Sequence, residues 1–204
     1  MLFRSDESTN SVIPPSGVPP VVNGFDLNAV EAALLLKDAG VDVEISVLSV
    51  GTDFALDALK KTLAMGADRL VLVDEQGLDK IDAAATVKVL TALIEEDGPF
   101  DLVLGGRQAS DWDQAHVVLG VAEAIGAPLV TLVQKLEVDG ESLKIQRVIP
   151  EGFQEVTCPT PAVLTVTNEL GEARYPNLRG IMQASRKQPD TYSLDRKSTR
   201  LNSS

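Results

Sequence analysis

The chain has 204 residues, 44% apolar and only 4% aromatic, with one cysteine, one histidine and a net charge of −12. That length and balance suit one globular domain, or one domain with an appendage, packed from Ala, Val and Leu. The acidity argues against a nucleic-acid backbone as partner, no apolar run is long enough to cross a membrane, and a lone His116 with a lone Cys158 makes neither an intrachain disulfide nor a zinc set.

The two ends stand apart from the rest. Asp195 to Ser204 is basic and nearly free of core residues, and it resembles the translation of a short-read sequencing adapter; Met1 to Ser5 resembles the opposite adapter end. Residues 1–5 and 195–204 are therefore expected to be non-native, and the fold to lie within 6–187. No signal peptide is visible, and a single unpaired cysteine fits a reducing cytoplasm.

Asp6 to Pro20, rich in Ser and Pro, reads as a loop. Asn23 to Asp26 leads into a helix with Leu27, Val30 and Leu34 on one face, Asp26 as N-cap and Gly40 as its stop. Val43 to Val50 is apolar and β-rich, and reads as a strand. Gly51-Thr52 opens a second helix through Leu56, Leu59 and Leu63, closed by Gly66. Leu70 to Val73 is a strand, and Asp82 caps a third helix with Val87, Leu90 and Ile94 inward.

The stretch Asp101 to Asp113 carries the chemistry. A short apolar run, Leu102 to Leu104, breaks at Gly105-Gly106, turns polar and passes into a helix with Val118, Val121, Ala122 and Ile125 on one face. In a parallel α/β sheet, ligands bind outside the carboxyl ends of the strands. Glycines let backbone N–H groups approach an anion, and a helix N-terminus adds partial positive charge. These features make a nucleotide site, or equally a tight βα turn with solvated carboxylates. A strand Leu129 to Val133 follows. Strands alternating with helices predict a doubly wound parallel α/β sheet. The pattern then changes. Leu136 to Val138 and Leu143 to Val148 flank Asp139-Gly140, a hairpin signal, and Val156 and Ala162 to Thr167 add short strands, which together predict an antiparallel C-terminal extension. Arg174 to Pro176 reads as a loop and Leu178 to Lys187 as a short helix.

Four blocks together resemble the β subunit of electron transfer flavoproteins, the FixA family, over about Val21 to Lys187. They are Asn23-Gly-Phe-Asp-Leu-Asn-Ala-Val-Glu-Ala-Ala-Leu, Leu63-Ala-Met-Gly-Ala-Asp-Arg69, Gly106-Arg-Gln-Ala-Ser-Asp-Trp-Asp113, and the run from Arg147 through Gln154 and Val156 to Pro161-Ala-Val-Leu-Thr165. In the last, Pro150 stands where the family usually has an acidic residue. The resemblance implies an adenine-nucleotide-binding fold and a subunit of an electron carrier, with no substrate of its own. An α subunit would hold FAD, take electrons from flavin dehydrogenases such as acyl-CoA dehydrogenases, and pass them to a membrane quinone reductase. This subunit would hold a structural AMP, or in an electron-bifurcating branch a second FAD.

Carried over by position, the nucleotide contacts are Asn23, Gly24, Phe25, Asp26, Val50, and the run Gly106, Arg107, Gln108, Ala109, Ser110, Asp111, Trp112, Asp113, Gln114, Ala115, His116 and Val117. Gly106 and its neighbours would offer amides to phosphate and Arg107 its charge. Gln108 would bond a ribose or base. Asp111 and Asp113 would accept from ribose hydroxyls, cap the helix or hold the loop. Trp112 would stack on adenine or on its own helix, and His116 is a ligand or a helix-surface residue. Gly24 replaces a common proline, and His116-Val117-Val118 departs from the usual Gln, Val or Thr, Gly. The resemblance also implies a partner-docking segment with Arg174, Leu178, Arg179, Met182, Arg186 and Lys187, in which Leu178 is the anchor for dehydrogenases. The family's first strand, ending in Lys-Gln-x-Pro-Asp, and its C-terminal arm are not found in the chain. Loss of a central strand is expected to leave unpaired edges on two neighbours and a poorly stable chain. A stand-alone nucleotide-binding stress or signalling domain, or a purely structural interaction module, is the competing reading. The antiparallel signature after Arg147 argues against the first of these.

Overall fold

The structure is a computed structural model that describes residues 4–8, 11–13, 17–194 and 201–203. The parts of the adapter-like ends at 1–3, 195–200 and 204 lie outside the described residues. The elements run β1 (Arg4–Asp6), β2 (Ser11–Ile13), α1 (Gly24–Asp38), β3 (Ser46–Gly51), α2 (Leu56–Met65), β4 (Arg69–Asp74), α3 (Ala83–Asp97), β5 (Leu102–Gly106), α4 (His116–Ile125), β6 (Leu129–Asp139), β7 (Ser142–Ile149), β8 (Gly152–Pro159), β9 (Ala162–Val166), α5 (Leu178–Arg186), β10 (Asp190–Leu194) and β11 (Leu201–Ser203).

The α/β arrangement expected from the alternating pattern is present, carried on two sheets. In one, β3, β4 and β10 are parallel and β11 closes the far side antiparallel to β10. In the other, β5, β9 and β6 are parallel, and β7 and β8 extend β6 antiparallel. β9 and β4, each with a neighbour on both sides, are the driest strands: β9 is buried at all its positions and β4 from Leu70 to Val73. β3 and β5 end their sheets, and β3 is half-exposed along its whole length, as β5 is up to Gly106. α1 lies against β5, β9 and β6, while α3 packs on α4 and α2 on α5.

Several boundaries differ from the sequence reading, each for a local reason. Asn23, not Asp26, is the N-cap of α1, because Asp26 turns its carboxylate to the end of β5. β3 begins at Ser46, since Ile45 is already engaged: its amide donates to Asp68 Oδ2 at 2.9 Å and its carbonyl accepts from Asp68 and Arg69. α2 starts at Leu56 rather than at Gly51, because the turn between is held to the end of β4. There Thr52 Oγ1 donates to the Glu75 carbonyl (2.7 Å) and the Asp53 amide to Asp74 Oδ1 (2.9 Å). The two runs Leu129 to Val133 and Leu136 to Val138 are one strand, bent where Leu132 takes a left-handed φ of 61°. The 6–20 stretch includes β2, paired with β1, so it is not all loop. β10 carries the fold beyond Lys187. Cys158 is buried in the β6–β7–β8 region, where burial pushes its thiol pKa up.

Arg174 is corrected as a surface docking residue. Its guanidinium turns inward, with Nε 2.9 Å from Glu31 Oε2, Nη2 2.8 Å from Glu31 Oε1 and Nη2 2.7 Å from Asp38 Oδ2. The Arg174 amide also donates to Glu31 Oε2 at 3.0 Å. The Glu31 side chain is only 8% exposed. Burial by itself would raise its pKa, but the hydrogen bonds and charge of Arg174 outweigh that and hold it below the ordinary glutamate value. The same bonds raise Arg174. The clamp fixes the segment leading to α5 onto α1.

Removing one partner of a buried pair leaves the other charge unpaired, so Arg174→Ala is expected to lower stability by about 3 kcal/mol in urea unfolding. The lowered Glu31 pKa contributes stability that is present above the ordinary glutamate value and is lost as pH falls through the folded value. Thermal midpoints should therefore be flat near neutrality and fall below about pH 4.3, with a shallower fall in Glu31→Gln.

Candidate functional site

Two glycines let two helices converge on the end of β5. A Cβ on Gly105 would lie 2.5 Å from Val118 Cγ2 of α4, and one on Gly106 2.7 Å from the Phe25 carbonyl carbon of α1. Only hydrogen fits at either position, so the strand end touches the first turns of both helices. The Gly106 amide donates to Asp26 Oδ1 at 2.7 Å. That corrects the expectation that this amide is free for a phosphate.

The polar stretch after Gly106 is a loop, and α4 starts only at His116. The Arg107 amide continues the sheet, donating to the Val166 carbonyl at 2.9 Å. Ala109 donates to the Gln114 carbonyl and Asp113 to the Ala109 carbonyl, both at 2.9 Å, which closes the loop on itself. Asp113 has a φ of 55° and accepts from Gln108 Nε2. Asp111 Oδ1 accepts from the Trp112 amide at 2.9 Å. Of the roles weighed for the two acids, holding the loop is the one seen; the N-cap of α4 is Ala115, with no side-chain cap. Asn23 latches the loop to α1. Its Nδ2 donates to the Gln108 carbonyl at 2.8 Å and to Asp26 Oδ2 at 3.0 Å, and its Oδ1 accepts from Ser110 Oγ.

A cleft of about 770 Å³ opens beside this loop. Asn23, Gly24, Asp26, Val50, Gly106, Gln108, Ala109, Ser110, Asp111, Gln114, Ala115 and Val117 all border it. Phe25, Arg107, Trp112, Asp113 and His116 do not. The Arg107 guanidinium lies 5.3 Å from the centre of the Phe25 ring and its Nε donates to Gln108 Oε1 at 3.0 Å. Trp112 is 68% exposed and His116 is exposed at the first position of α4. The first-turn amides of α4 have no partner within the helix. The donors best placed for an anion are therefore at Ala115, His116 and Val117, under a favourable helix dipole and with no acidic residue in that turn. A nucleotide fits this set: glycines that exclude side chains, a helix N-terminus and an amide side chain at Asn23.

The docking residues gather on α5, apart from Arg174. Asn177 caps the helix, accepting from the Gly180 amide at 2.8 Å. Gly180 and the buried Ala184 face the rest of the fold, Gly180 so closely that a Cβ there would collide with the Ala64 carbonyl. The opposite side exposes Leu178 (73%), Ile181 and Met182, with Arg179 and Arg186 beside them. Lys187 Nζ donates to the Asp68 carbonyl at 2.7 Å, which occupies it within the fold.

Sequence reading missed Glu31 and Asp38 as the acceptors that seat the segment before α5. The signal was a glutamate on the face that also carries Leu27 and Leu34, where a solvated charge would be out of place. Among the described residues no cluster of His, Cys, Asp and Glu could hold a metal, and no helix is long and apolar enough to cross a membrane.

Comparison with known proteins agrees with this geometry. Residues 11–196 match the model of the electron transfer flavoprotein domain. The chain is 40% identical over 179 residues to the electron transfer flavoprotein subunit beta of Clostridium acetobutylicum, covering 88% of this chain and 68% of that protein. It is 38% identical over 179 residues to the Megasphaera elsdenii subunit of the same name, covering 85% and 66%. With subunit CarD of the caffeyl-CoA reductase–Etf complex of Acetobacterium woodii it shares 36% over 181 residues, covering 89% and 69%. The chain thus spans about two thirds of the length of these relatives. On these matches the chain belongs to the electron transfer flavoprotein family, among its beta subunits.

Proposed function

We propose that the chain is the adenylate-holding subunit of a two-subunit electron carrier. The cleft beside residues 106–117 carries this reading, because it joins a side-chain-free strand end to an unblocked helix N-terminus. The nucleotide is AMP, with a structural role. Amides at the start of α4 hold its phosphate, and Asn23 with the 108–111 loop borders its ribose and base. FAD in an α subunit supplies the redox chemistry. This chain's part is to position that subunit and to present α5 to cytoplasmic flavin dehydrogenases, whose electrons leave for a membrane quinone reductase. The exposed Leu178 with Arg179 and Arg186 suits a brief, electrostatically steered encounter.

A second reading is supported by the likeness to a subunit whose name places it in a reductase–Etf complex. On that reading the adenylate site of this chain holds a second, redox-active FAD. Nucleotide extraction from the complex with an α subunit separates the two. One FAD with one AMP is the expected count; two FADs and no AMP would move the bifurcating reading ahead, and no adenine nucleotide beyond the FAD of α would remove both. Gly106→Ala, whose Cβ would press on α1, is expected to lower AMP occupancy severalfold while the FAD of α stays. Leu178→Ala should slow dehydrogenase-linked reduction about tenfold with nucleotide content unchanged.

A further inference from the structure

A cluster of charged groups that the nucleotide site does not use gathers where α5 gives way to β10. Asp97, the last residue of α3, has a side chain only 3% exposed. Burial opposes a carboxylate there, and so does the dipole at a helix C-terminus. It is held by Arg69 Nη2 at 2.8 Å, Arg69 Nη1 at 3.4 Å and the Tyr192 hydroxyl at 3.0 Å. The Arg69 guanidinium is thereby locked, and its other side turns to Asp190, with Nε 3.2 Å and Nη2 3.1 Å from Asp190 Oδ2. Asp190 and Tyr192 both lie on β10, the strand that follows α5. The neighbour of Arg69 acts on the linker between them, the Asp68 carbonyl accepting from Lys187 Nζ at 2.7 Å. α5 itself has a shallow seat. It meets α2 through Gly180, against the Ala64 carbonyl, and its buried residue is Ala184. Side chains this small grip little, so the place of the helix depends on its two ends. Arg174 fixes the approach on Glu31, and Arg69 fixes the exit on Asp190.

We propose that Arg69 is a positioning residue for docking: locked by the buried Asp97, it fixes Asp190 and so sets where α5 presents Leu178, Ile181 and Met182 to a partner. The inference rests on the docking reading of α5. Register is what the cluster controls. β10 runs parallel to β4 with Asp190 opposite Val71 and Tyr192 opposite Val73. Ladder bonds alone would tolerate a slip of two residues, which keeps every side chain on its face and moves the strand by about 6.6 Å. The bonds from Asp190 back to Arg69 and from Tyr192 to Asp97 hold in one register only. Arginine suits the task, because its fork serves two carboxylates at once, where an ammonium is a single point of charge. Stability explains the arrangement poorly. The Asp190 side chain is 56% exposed, and such pairs contribute little. A buried pair such as Arg69 with Asp97 is no better than apolar residues of the same volume.

The test uses the complex with an α subunit, reduced by an acyl-CoA dehydrogenase, in a double-mutant cycle of Asp190→Ala and Leu178→Ala. Asp190→Ala is expected to raise the dehydrogenase concentration at half-maximal rate about fivefold, with the saturated rate, the nucleotide content and the urea midpoint unchanged. Asp190→Glu should restore it, and Arg69→Lys should behave as Asp190→Ala does. With Leu178→Ala already in place, Asp190→Ala should have no further effect, because it acts through that face. Additive effects, a lowered urea midpoint in Asp190→Ala, or unchanged half-saturation beside an impaired Leu178→Ala would overturn the inference and leave the docking reading standing. A Leu178→Ala complex that reacts as the parent does would overturn the docking reading and this inference with it.

Discussion

The bond from the Gly106 amide to the Asp26 carboxylate is the constraint on which the site depends. It joins the end of β5 to the first turn of α1, at a contact so close that Gly106 could carry no side chain. Because Asp26 is fixed there, Asn23 is placed to hold the Gln108 carbonyl, and the loop from 107 to 115 is stretched across the mouth of the cleft rather than folded into α4. The start of α4 consequently borders the cleft at Ala115 and Val117. The two further acids in the loop turn to Gln108 and to the Trp112 amide, and the first turn of α4 carries no acidic residue.

The fold was legible wherever apolar periodicity carried it. Leu70 to Val73 and Ala162 to Thr167 read as strands and are among the driest in the molecule, though the second, expected in the antiparallel extension, pairs parallel with β5 and β6. The β6–β7 hairpin followed from Asp139-Gly140. Legibility failed where a side chain from far away set the geometry. Nothing near Arg174 reveals that its partner is Glu31, 143 residues distant, so a basic cluster was the natural reading. The start of α4 at His116 had no sequence signal, because the loop bonds that delay it, Ala109 to Gln114 and Asp113 to Ala109, leave no pattern in residue type. β10 escaped because Asp190 to Leu194 has little apolar alternation; the parallel edge of β4 and the bonds of Arg69 to Asp190 hold it in place.

Charge is distributed unevenly in a way that suits the two faces. The chain is acidic overall, yet α5 exposes two arginines around an apolar stripe. Other basic residues are engaged within the chain: Arg174 on Glu31 and Asp38, Lys187 on the Asp68 carbonyl and, at the surface, Lys37 on the Asp68 carboxylate at 2.9 Å. What remains outward is compact, which favours orientation of a partner over sheer attraction.

The pairing of β10 with β4 also bears on how the chain is made. Arg69 and Asp190, which bond across it, are 121 residues apart in sequence. A ribosome adding 5–20 residues per second would leave roughly 6–24 s between the two. During that interval Val71 and Val73, dry in the finished fold, have no neighbour on their outer side. The β6–β7–β8 meander, whose contacts are local, can meanwhile close at once. A late strand therefore covers an early one, and the nascent chain carries an open apolar edge for the whole of that interval, in which a holding chaperone would find it.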